Sequence, residues 1–219
     1  MSTKQRIAIV DYGMGNLRSV YQAVKHVADE HDVVLTHDPE IVASADKVIF
    51  PGQGAMRDCM KNLNESGLRI VVEAAAKEKP FLGVCVGMQM LFEHSEEANT
   101  EGLGLFKGRS LRFPAALMID EVGQKLKVPH MGWNNVKHAR QHPIWQGIDN
   151  NDRFYYVHSY FVHPVDTDLV IGVSDYPFTF CGAIASEQLV AVQFHPEKSD
   201  KAGLQLYRNF VNWDGKTSS

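Results

Sequence analysis

The sequence lacks the features that mark secreted, membrane-spanning and strongly basic proteins. It has only three cysteines, Cys59, Cys85 and Cys181. Three is too few for a disulfide framework, and an odd number cannot all pair with one another. Only four apolar residues, 7–10, precede Asp11, which is shorter than a signal peptide or a membrane span requires. Lys and Arg total 22 against 26 Asp and Glu, so a net charge of −4 provides no general attraction to nucleic acid or anionic lipid. We therefore expect a cytoplasmic protein with no nucleic-acid or membrane partner.

The composition is that of an ordinary folded protein. Hydrophobic residues make up 44% and charged residues 22% of the 219 residues, which excludes a disordered or fibrous chain. No Pro- or Gly-rich linker, internal repeat or low-complexity tract divides the sequence. We expect one domain over residues 1–219, with its core at about 5–213.

Two hydrophobic patterns alternate in the first half of the chain. Short apolar runs without polar alternation predict buried strands at residues 7–10, 33–35, 48–50 and 81–84. Apolar residues at helical spacing predict helices that begin after Asn16, near Met56 and near Leu68. Buried strands separated by helices are typical of a parallel sheet covered on both faces.

The second half of the chain is richer in strand patterns. Strands are predicted at residues 154–162, 169–174, 178–186 and 189–194. Glu187 and Gln188 form a predicted hairpin turn between the last two strands, so part of the sheet is antiparallel. A final helix carries Leu204, Tyr207 and Phe210 on one face. These patterns predict an α/β fold with a mixed sheet.

Cys85 is a candidate nucleophile because of the residues around it. It is the centre of Gly-Val-Cys-Val-Gly at 83–87, after a predicted buried strand and before a helical stretch that extends to Phe92. This is the pattern of a nucleophile elbow, whose glycines avoid collisions and whose central side chain projects from the carboxyl edge of the sheet. The helix N-terminus favours a thiolate there, and the N–H of Val86 would point at a developing oxyanion. The alternative is a small buried core residue, which is how the other two cysteines are interpreted.

His195 is the candidate base, in Gln-Phe-His-Pro-Glu at 193–197. It follows the apolar run 189–194, and residues two apart in extended chain project to the same side, so Glu197 can lie beside it. Pro196 favours an extended His195. The carboxylate would orient the imidazole and stabilise its charged form, as the third member of a triad does. The alternative is a solvent-facing histidine at the end of a strand.

Two weaker patterns point to other kinds of site. His138 and His142 have the spacing of metal ligands on a helix, but Pro143 and the polar neighbours favour an exposed turn, and no ligand cluster accompanies them. Gly-Met-Gly-Asn at 13–16 could hold a phosphate at a helix N-terminus, but it is neither a full dinucleotide-binding motif nor a P-loop. We expect neither a metal nor another cofactor.

Three motifs together resemble the signatures of the class I glutamine amidotransferases. They are Pro51-Gly-Gln-Gly54, Gly83-Val-Cys-Val-Gly-Met-Gln89 and His195-Pro-Glu197, in the order of the family. The resemblance implies a flavodoxin-like three-layer α/β/α sandwich with a mixed, mainly parallel sheet. It also implies a Cys-His-Glu triad that releases ammonia from L-glutamine.

Further stretches resemble the glutaminase subunits of imidazole glycerol phosphate synthases. They lie at residues 11–16, 51–56, 95–97, 129–134 and 156–161, and the resemblance extends over 5–213. It implies a heterodimer with a (β/α)8-barrel cyclase subunit. That partner would use the ammonia to make imidazole glycerol phosphate and AICAR in histidine biosynthesis. Val86 stands where the family more often has Leu, a conservative difference.

The same resemblance implies roles for individual residues. Cys85 is the nucleophile, His195 is the general base and acid, and Glu197 orients His195. Backbone N–H groups of Gly52 and Val86 would hold the oxyanion. The residues expected to bind the α-amino and α-carboxylate groups of glutamine are Gln89, Glu97, Ser159, Tyr160 and Phe161.

Three alternatives stay open at this point. The chain could be an amidotransferase subunit for anthranilate, aminodeoxychorismate or pyridoxal phosphate synthesis, against which only the resemblance at 129–134 and 156–161 argues. It could be a stand-alone γ-glutamyl thiol hydrolase, whose turnover of glutamine would not respond to a partner. A flavodoxin-like module that binds a phosphate or flavin at 13–16 would leave Cys85 and His195 unexplained.

Overall fold

The computed structural model describes residues 4–119 and 122–216. Its strands are β1 (Arg6–Val10), β2 (Asp32–Thr36), β3 (Lys47–Gly52), β4 (Phe81–Cys85), β5 (Phe92–Ser95), β6 (Thr100–Glu101), β7 (Phe106–Arg112), β8 (His130–Asn135), β9 (Lys137–His138), β10 (Arg153–His158), β11 (Tyr160–Pro164), β12 (Val170–Asp175), β13 (Thr179–Ser186) and β14 (Leu189–Val192). Its α-helices are α1 (Leu17–Val27), α2 (Pro39–Ser44), α3 (Met56–Glu65), α4 (Arg69–Glu78), α5 (Val86–Gln89) and α6 (Asp200–Asn212). Short 3₁₀ helices lie at Glu97–Asn99, Ala115–Leu117, Pro143–Trp145, Thr167–Leu169 and Pro196–Lys198.

The main sheet has eight strands in the order β2-β1-β3-β4-β14-β13-β12-β9. The strands from β2 to β14 are parallel to their neighbours, and β13, β12 and β9 extend the sheet in antiparallel fashion. Ser186 pairs with Leu189 across the predicted hairpin turn. Every residue of β3 and β4 is buried, as expected of strands covered on both faces. The predicted α/β class with a mixed, mainly parallel sheet is confirmed.

Helices cover both faces of this sheet. Connections between parallel strands are right-handed, so α1, which leads from β1 to β2, lies opposite α2, α3 and α4, which lead the other way to β3 and β4. Helix α6 packs against α1, and α2 packs against α4. The buried residues Val20 and Val24 of α1 and Leu206 and Phe210 of α6 form inward faces. Within the described ranges, no helix combines the length and apolar character needed to cross a membrane.

Two smaller sheets accompany the main one. Strand β10 pairs with β8, and a four-stranded sheet has the order β11-β7-β5-β6. The sequence predicts one strand over 154–162, but the chain breaks at Ser159 into β10 and β11, which belong to different sheets. Residues that favour strands continue on both sides of Ser159, so the amino-acid composition does not indicate the break. The segment is divided because β10 pairs with β8, whereas β11 pairs with β7.

The helix after the elbow cysteine is shorter than the sequence predicts. Helix α5 ends at Gln89, and Phe92 begins β5 instead of continuing the helix. Competing contacts with a later segment explain the difference: the carbonyl of Met90 accepts the N–H of Leu103 at 2.7 Å. Gly102 permits this approach, because a Cβ there would lie 2.1 Å from the carbonyl oxygen of Phe92.

The prediction of an exposed turn at His138 and His142 is wrong for His142. That side chain is buried, because its Nδ1 accepts the N–H of Ile144 at 3.1 Å and its ring packs edge-on against Trp213. The ring of His138 stacks on Trp145. Across residues 4–119 and 122–216, no three His, Cys, Asp or Glu side chains are grouped as metal ligands would be.

Candidate active site

Cys85 lies at a sharp turn between β4 and α5. Its backbone has φ 56° and ψ −113°, a strained conformation for a residue with a side chain. Gly87 is required beside it, because a Cβ there would lie 2.1 Å from the carbonyl oxygen of Phe50 in β3. A Cβ at Gly83 would lie 3.0 Å from the Cβ of Ala191 in β14. The turn is a nucleophile elbow, with the thiol at the carboxyl edge of the sheet and at the start of a helix.

His195 reaches the same edge from the neighbouring strand. Strand β14 is parallel to β4, with Val192 opposite Val84, so the chain after both strands emerges on one side of the sheet. His195 Nδ1 lies 2.8 Å from Glu197 Oε1. The sequence expectation that the two side chains lie together is met, but the geometry differs from the extended chain assumed there. Glu197 lies in the 3₁₀ turn Pro196–Lys198, which brings its carboxylate back to the ring.

Further hydrogen bonds fix the histidine and its carboxylate. The N–H of His195 donates to Tyr155 O at 2.9 Å, and Ser199 Oγ donates to His195 O at 2.6 Å. The hydroxyl of Tyr207, in α6, lies 3.5 Å from Glu197 Oε2. Burial and the Glu197 charge raise the pKa of Tyr207 well above its usual value, so the phenol stays protonated and donates. Hydrogen bonds to the backbone of His195 and to its Nδ1 therefore fix the position of the imidazole ring.

The charge state of His195 follows from its two neighbours. Burial opposes the imidazolium, but the charge of Cys85 and the hydrogen bond and charge of Glu197 outweigh burial and raise the pKa of His195 well above its usual range. His195 Nε2 has no hydrogen-bond partner and is buried. It is thus the ring nitrogen left for exchange of a proton with a bound reactant. The arrangement can form a thiolate–imidazolium pair, as nucleophilic catalysis by cysteine requires.

These groups line an active-site cleft of about 310 Å³. Its lining residues are Gln53, Gly54, Cys85, Val86, Gln89, Glu97, Pro129, Val157, His158, Ser159, Tyr160 and His195. The volume lies at the small end of the range for small-molecule sites. Seven of the ten residues for which the sequence predicts a role at the site belong to this lining. Two more lie beside it, because Glu197 contacts His195 and Gly52 pairs in register with Cys85.

Gly52 and Val86 flank the thiol on two sides. Gly52 ends β3 opposite Cys85 in the parallel register. Only glycine fits there, because a Cβ would lie 2.6 Å from the backbone nitrogen of Gly87. Val86 is the first residue of α5, where N–H groups have no partner within the helix. Both backbone positions can present donors towards an oxyanion, which stays a prediction.

Gln89 and Glu97 provide polar side chains to the cleft. Gln89 Nε2 donates to Tyr160 O and to Gln193 Oε1, each at 3.1 Å, which leaves the amide oxygen of Gln89 as its free acceptor. Glu97 Oε2 accepts the N–H of Met56 at 2.6 Å, at the start of α3. Both side chains can accept hydrogen bonds from an ammonium group.

The segment Ser159–Phe161 contributes unequally. Ser159 and Tyr160 line the cleft, whereas the Phe161 side chain packs against Phe113 and Phe178, with ring centroids 5.0 and 5.4 Å away. Any contact of Phe161 with substrate would therefore use its backbone.

Sequence reasoning missed several residues at the cleft, among them Gln53, Pro129, His158 and Gln193. Gln193 Nε2 lies 3.9 Å from the sulfur of Cys85. Pro129 and His158 fall inside the stretches 129–134 and 156–161 that carry the family resemblance. Those stretches held the signal, but a linear sequence does not show that the two meet at one cleft.

Comparison with known proteins identifies the family. The family model of class I glutamine amidotransferases matches residues 8–213. The chain belongs to the class I glutamine amidotransferases. The amidotransferase is 58% identical over 208 residues to the imidazole glycerol phosphate synthase subunit HisH of Thiobacillus denitrificans, covering 95% of this chain and 91% of the relative. It is also 58% identical over 207 residues to the HisH subunit of Aromatoleum aromaticum, covering 94% and 98%. The predicted resemblance to these subunits is confirmed.

Solved structures agree with this placement at the level of the fold. The amidotransferase matches PurLQS from Thermotoga maritima with a TM-score of 0.70 and 17% identity, covering 96% of this chain and 99% of that chain. It matches another glutamine amidotransferase with a TM-score of 0.69 and 15% identity, covering 94% and 99%. The predicted three-layer sandwich is thereby confirmed.

Proposed function

We propose that this amidotransferase is the glutaminase subunit of an imidazole glycerol phosphate synthase. It hydrolyses L-glutamine to L-glutamate and ammonia, and passes the ammonia to a cyclase subunit with a (β/α)8-barrel fold. The observation that carries the proposal is that Cys85 and the His195–Glu197 pair lie at one cleft, at the ends of adjacent parallel strands. The HisH relatives supply the pathway, because their name gives the synthase to which each belongs.

The reaction follows from the geometry of the triad. The Cys85 thiolate attacks the carboxamide carbon of glutamine, and backbone N–H groups of Gly52 and Val86 hold the oxyanion. The His195 imidazolium gives its Nε2 proton to the departing nitrogen, so ammonia leaves and a γ-glutamyl thioester remains. His195 then takes a proton from water, which attacks the thioester and releases glutamate and the thiolate. Glu197 keeps the ring oriented through Nδ1 in both steps.

Recognition of the amino-acid end of glutamine would use the other polar groups of the cleft. The carboxylate of Glu97 and the amide oxygen of Gln89 suit the α-ammonium group, because both are acceptors. Ser159 and the backbone of Tyr160 and Phe161 would hold the α-carboxylate. The contact of Glu97 with the Met56 N–H supports this role by fixing the carboxylate at a helix N-terminus.

We also propose that the protein works in the cytoplasm as a heterodimer. All three cysteines are unpaired and buried, which fits a reducing compartment. The chemistry assigned to the triad requires no metal or other cofactor, since the nucleophile and the proton carrier are both side chains.

The experiment that tests this function measures glutamate release from glutamine in two conditions. The chain is assayed alone and with the cyclase subunit and its nucleotide substrate. We expect turnover to rise strongly in the complex, and product formation from glutamine to require intact Cys85. With saturating ammonium salt, the cyclase should form product without this subunit. Turnover of the isolated chain that ignores partner and nucleotide would instead favour the stand-alone hydrolase, and response to the partner enzyme of another pathway would favour that pathway.

A further inference from the structure

A chain of hydrogen bonds leads from strand β8 to the rim of the active-site cleft. His130 in β8 and His158 in β10 face each other in the antiparallel register, with His130 Nδ1 and His158 Nε2 2.9 Å apart. Asn134 Nδ2 lies 3.3 Å from His130 Nε2, and His158 Nδ1 lies 2.8 Å from Tyr160 O. The carbonyl of Tyr160 also accepts the Gln89 amide. The two histidines therefore connect β8 to two residues expected to bind glutamine.

The direction of every bond in this chain can be worked out from its two ends. At one end the carbonyl of Tyr160 can only accept, so His158 carries its proton on Nδ1, and its Nε2 is an acceptor for His130 Nδ1–H. At the other end Asn134 Oδ1 accepts the N–H of Asn135 at 2.8 Å, which turns Nδ2 towards His130 as a donor. Both ends give the same answer: both rings are neutral, with the proton on Nδ1.

The surroundings keep the two rings neutral. His130 stacks on Tyr156 and Tyr176, with ring centroids 5.0 and 4.0 Å away, and Phe113 packs edge-on against His158. Burial lowers the pKa of His130 to about 4. Burial lowers the pKa of His158 to about 3, with a smaller contribution from the charge of His195, although the hydrogen bond to Tyr160 O acts in the opposite direction. A second proton on either ring would place two N–H groups against each other. The direction of these hydrogen bonds is therefore fixed at neutral pH.

The segment that receives this bond begins at a junction between two sheets. Ser159 lies between β10 and β11, which belong to different sheets, so Tyr160 begins a new strand directly after the junction. The carbonyl of Tyr160 points back to accept from His158 and Gln89. We propose that His130 and His158 are positioning residues that fix the Tyr160 carbonyl, and through it the Gln89 side chain, for binding of glutamine.

The two histidines act in series, and the inference rests on the proposed glutaminase function. His158 supplies the bond to Tyr160, and His130 holds the ring of His158 by donating to its Nε2. Without that donor the His158 ring is held only at Nδ1, so it can turn and weaken the bond from Nδ1 to the Tyr160 carbonyl. A change at His130, outside the lining of the cleft, should thus be felt at the glutamine site.

The test compares variants in the complete synthase, with the cyclase and its nucleotide substrate bound. His158→Phe keeps the ring volume but removes both nitrogens, whereas His158→Asn keeps a donor near the position of Nδ1. We expect His158→Phe to raise KM for glutamine about fivefold with a smaller change in kcat, since one net hydrogen bond is lost. His158→Asn should recover most of the wild-type KM. His130→Phe should raise KM less than His158→Phe, and the double variant should be no worse than His158→Phe alone.

Two controls separate positioning from folding and from the proposed function. His138→Phe changes a ring that stacks on Trp145, away from the cleft lining, and should leave KM unchanged. Synthesis from ammonium salt should be the same in all variants. If the wild-type complex does not hydrolyse glutamine, the proposed function fails. If it does, and His158→Phe lowers only the melting temperature with KM intact, the positioning role alone is overturned.

Labelled imidazole nitrogens provide a readout that a purely structural role would not move. Nitrogen NMR of ¹⁵N-histidine protein separates protonated from bare ring nitrogens, and the His158 signals are assigned by their loss in His158→Asn. We expect Nδ1 of His158 to be protonated in the wild type, and the signal of its bare Nε2 to move in His130→Phe because that nitrogen loses its donor. An unmoved Nε2 signal in His130→Phe, or a His158→Asn variant as impaired as His158→Phe, would refute the series of bonds.

Discussion

Replacing Glu197 with glutamine would show how strongly the imidazolium depends on its carboxylate. The change keeps the side-chain shape but removes a negative charge 2.8 Å from His195 Nδ1. The two side chains are only 3% and 1% exposed, so water screens this pair little. A hydrogen bond to a charged group contributes roughly 1.5–3 kcal/mol, which corresponds to about one to two pKa units.

The sign of the effect follows from the causes of the raised pKa. Burial lowers the pKa of His195, and Cys85 and Glu197 raise it further than burial lowers it, to about 10. Removing the Glu197 charge must therefore lower it. Because the departing nitrogen needs the imidazolium proton, kcat/KM for glutamine falls once His195 loses it. In Glu197→Gln the alkaline limb of kcat/KM should move to lower pH by about one to two units.

The assay is glutamate release by the complete synthase across the alkaline range. Tyr207→Phe is the matched control, because it removes the donor 3.5 Å from the other carboxylate oxygen but keeps the charge. Its alkaline limb should stay at the wild-type position. If Glu197→Gln were merely slower, with its alkaline limb unmoved, then Glu197 would not be what holds the proton on His195.

Three further results are expected. Cys85→Ala should abolish glutamate release but keep wild-type circular dichroism and partner binding, whereas Cys181→Ala in β13 should retain most turnover. Normal glutamate production by Cys85→Ala would refute the assignment of Cys85 as the nucleophile. Gly87→Ala should lower the melting temperature by several degrees, because its Cβ would lie 2.1 Å from the Phe50 carbonyl oxygen and overpacking costs about 1–3 kcal/mol. An unchanged melting temperature would contradict the close packing of the elbow. Cyclase with bound nucleotide should raise kcat for glutamine far more than it changes KM, and equal kcat with and without it would speak against coupling between the two sites.

The elbow could be predicted from the sequence because its requirements are local. A buried strand, a cysteine between two glycines and a helix start occupy consecutive residues, and the family resemblance covers the same residues. The pairing of His195 with Glu197 is equally local, although a 3₁₀ turn and not extended chain brings the two together. Where the chemistry depends on neighbours in sequence, the interpretation from sequence was close to the structure.

Long-range pairing is where prediction from the sequence stopped. The division of 154–162 into β10 and β11 depends on β8 and β7, which lie far away in the chain. The same is true of the His130–His158 pair, because neither histidine has an unusual neighbour in sequence. The burial of His142 escapes the sequence for a related reason, since it depends on Trp213, far along the chain and near the end of the described residues. Cross-strand partners are visible only once the sheets are assembled.

The position of β14 has a consequence for how the protein comes to be active during its synthesis. Strand β14 lies between β4 and β13, in the middle of the main sheet, although it is the last strand among the described residues. A ribosome-bound chain that extends only to β13 contains Cys85, but it lacks β14, which joins β4 to β13, and it lacks His195. His195, Glu197 and Tyr207 all follow β14 in the sequence. A chain that ends before β14 therefore lacks both the strand that joins the two halves of the sheet and the base of the triad.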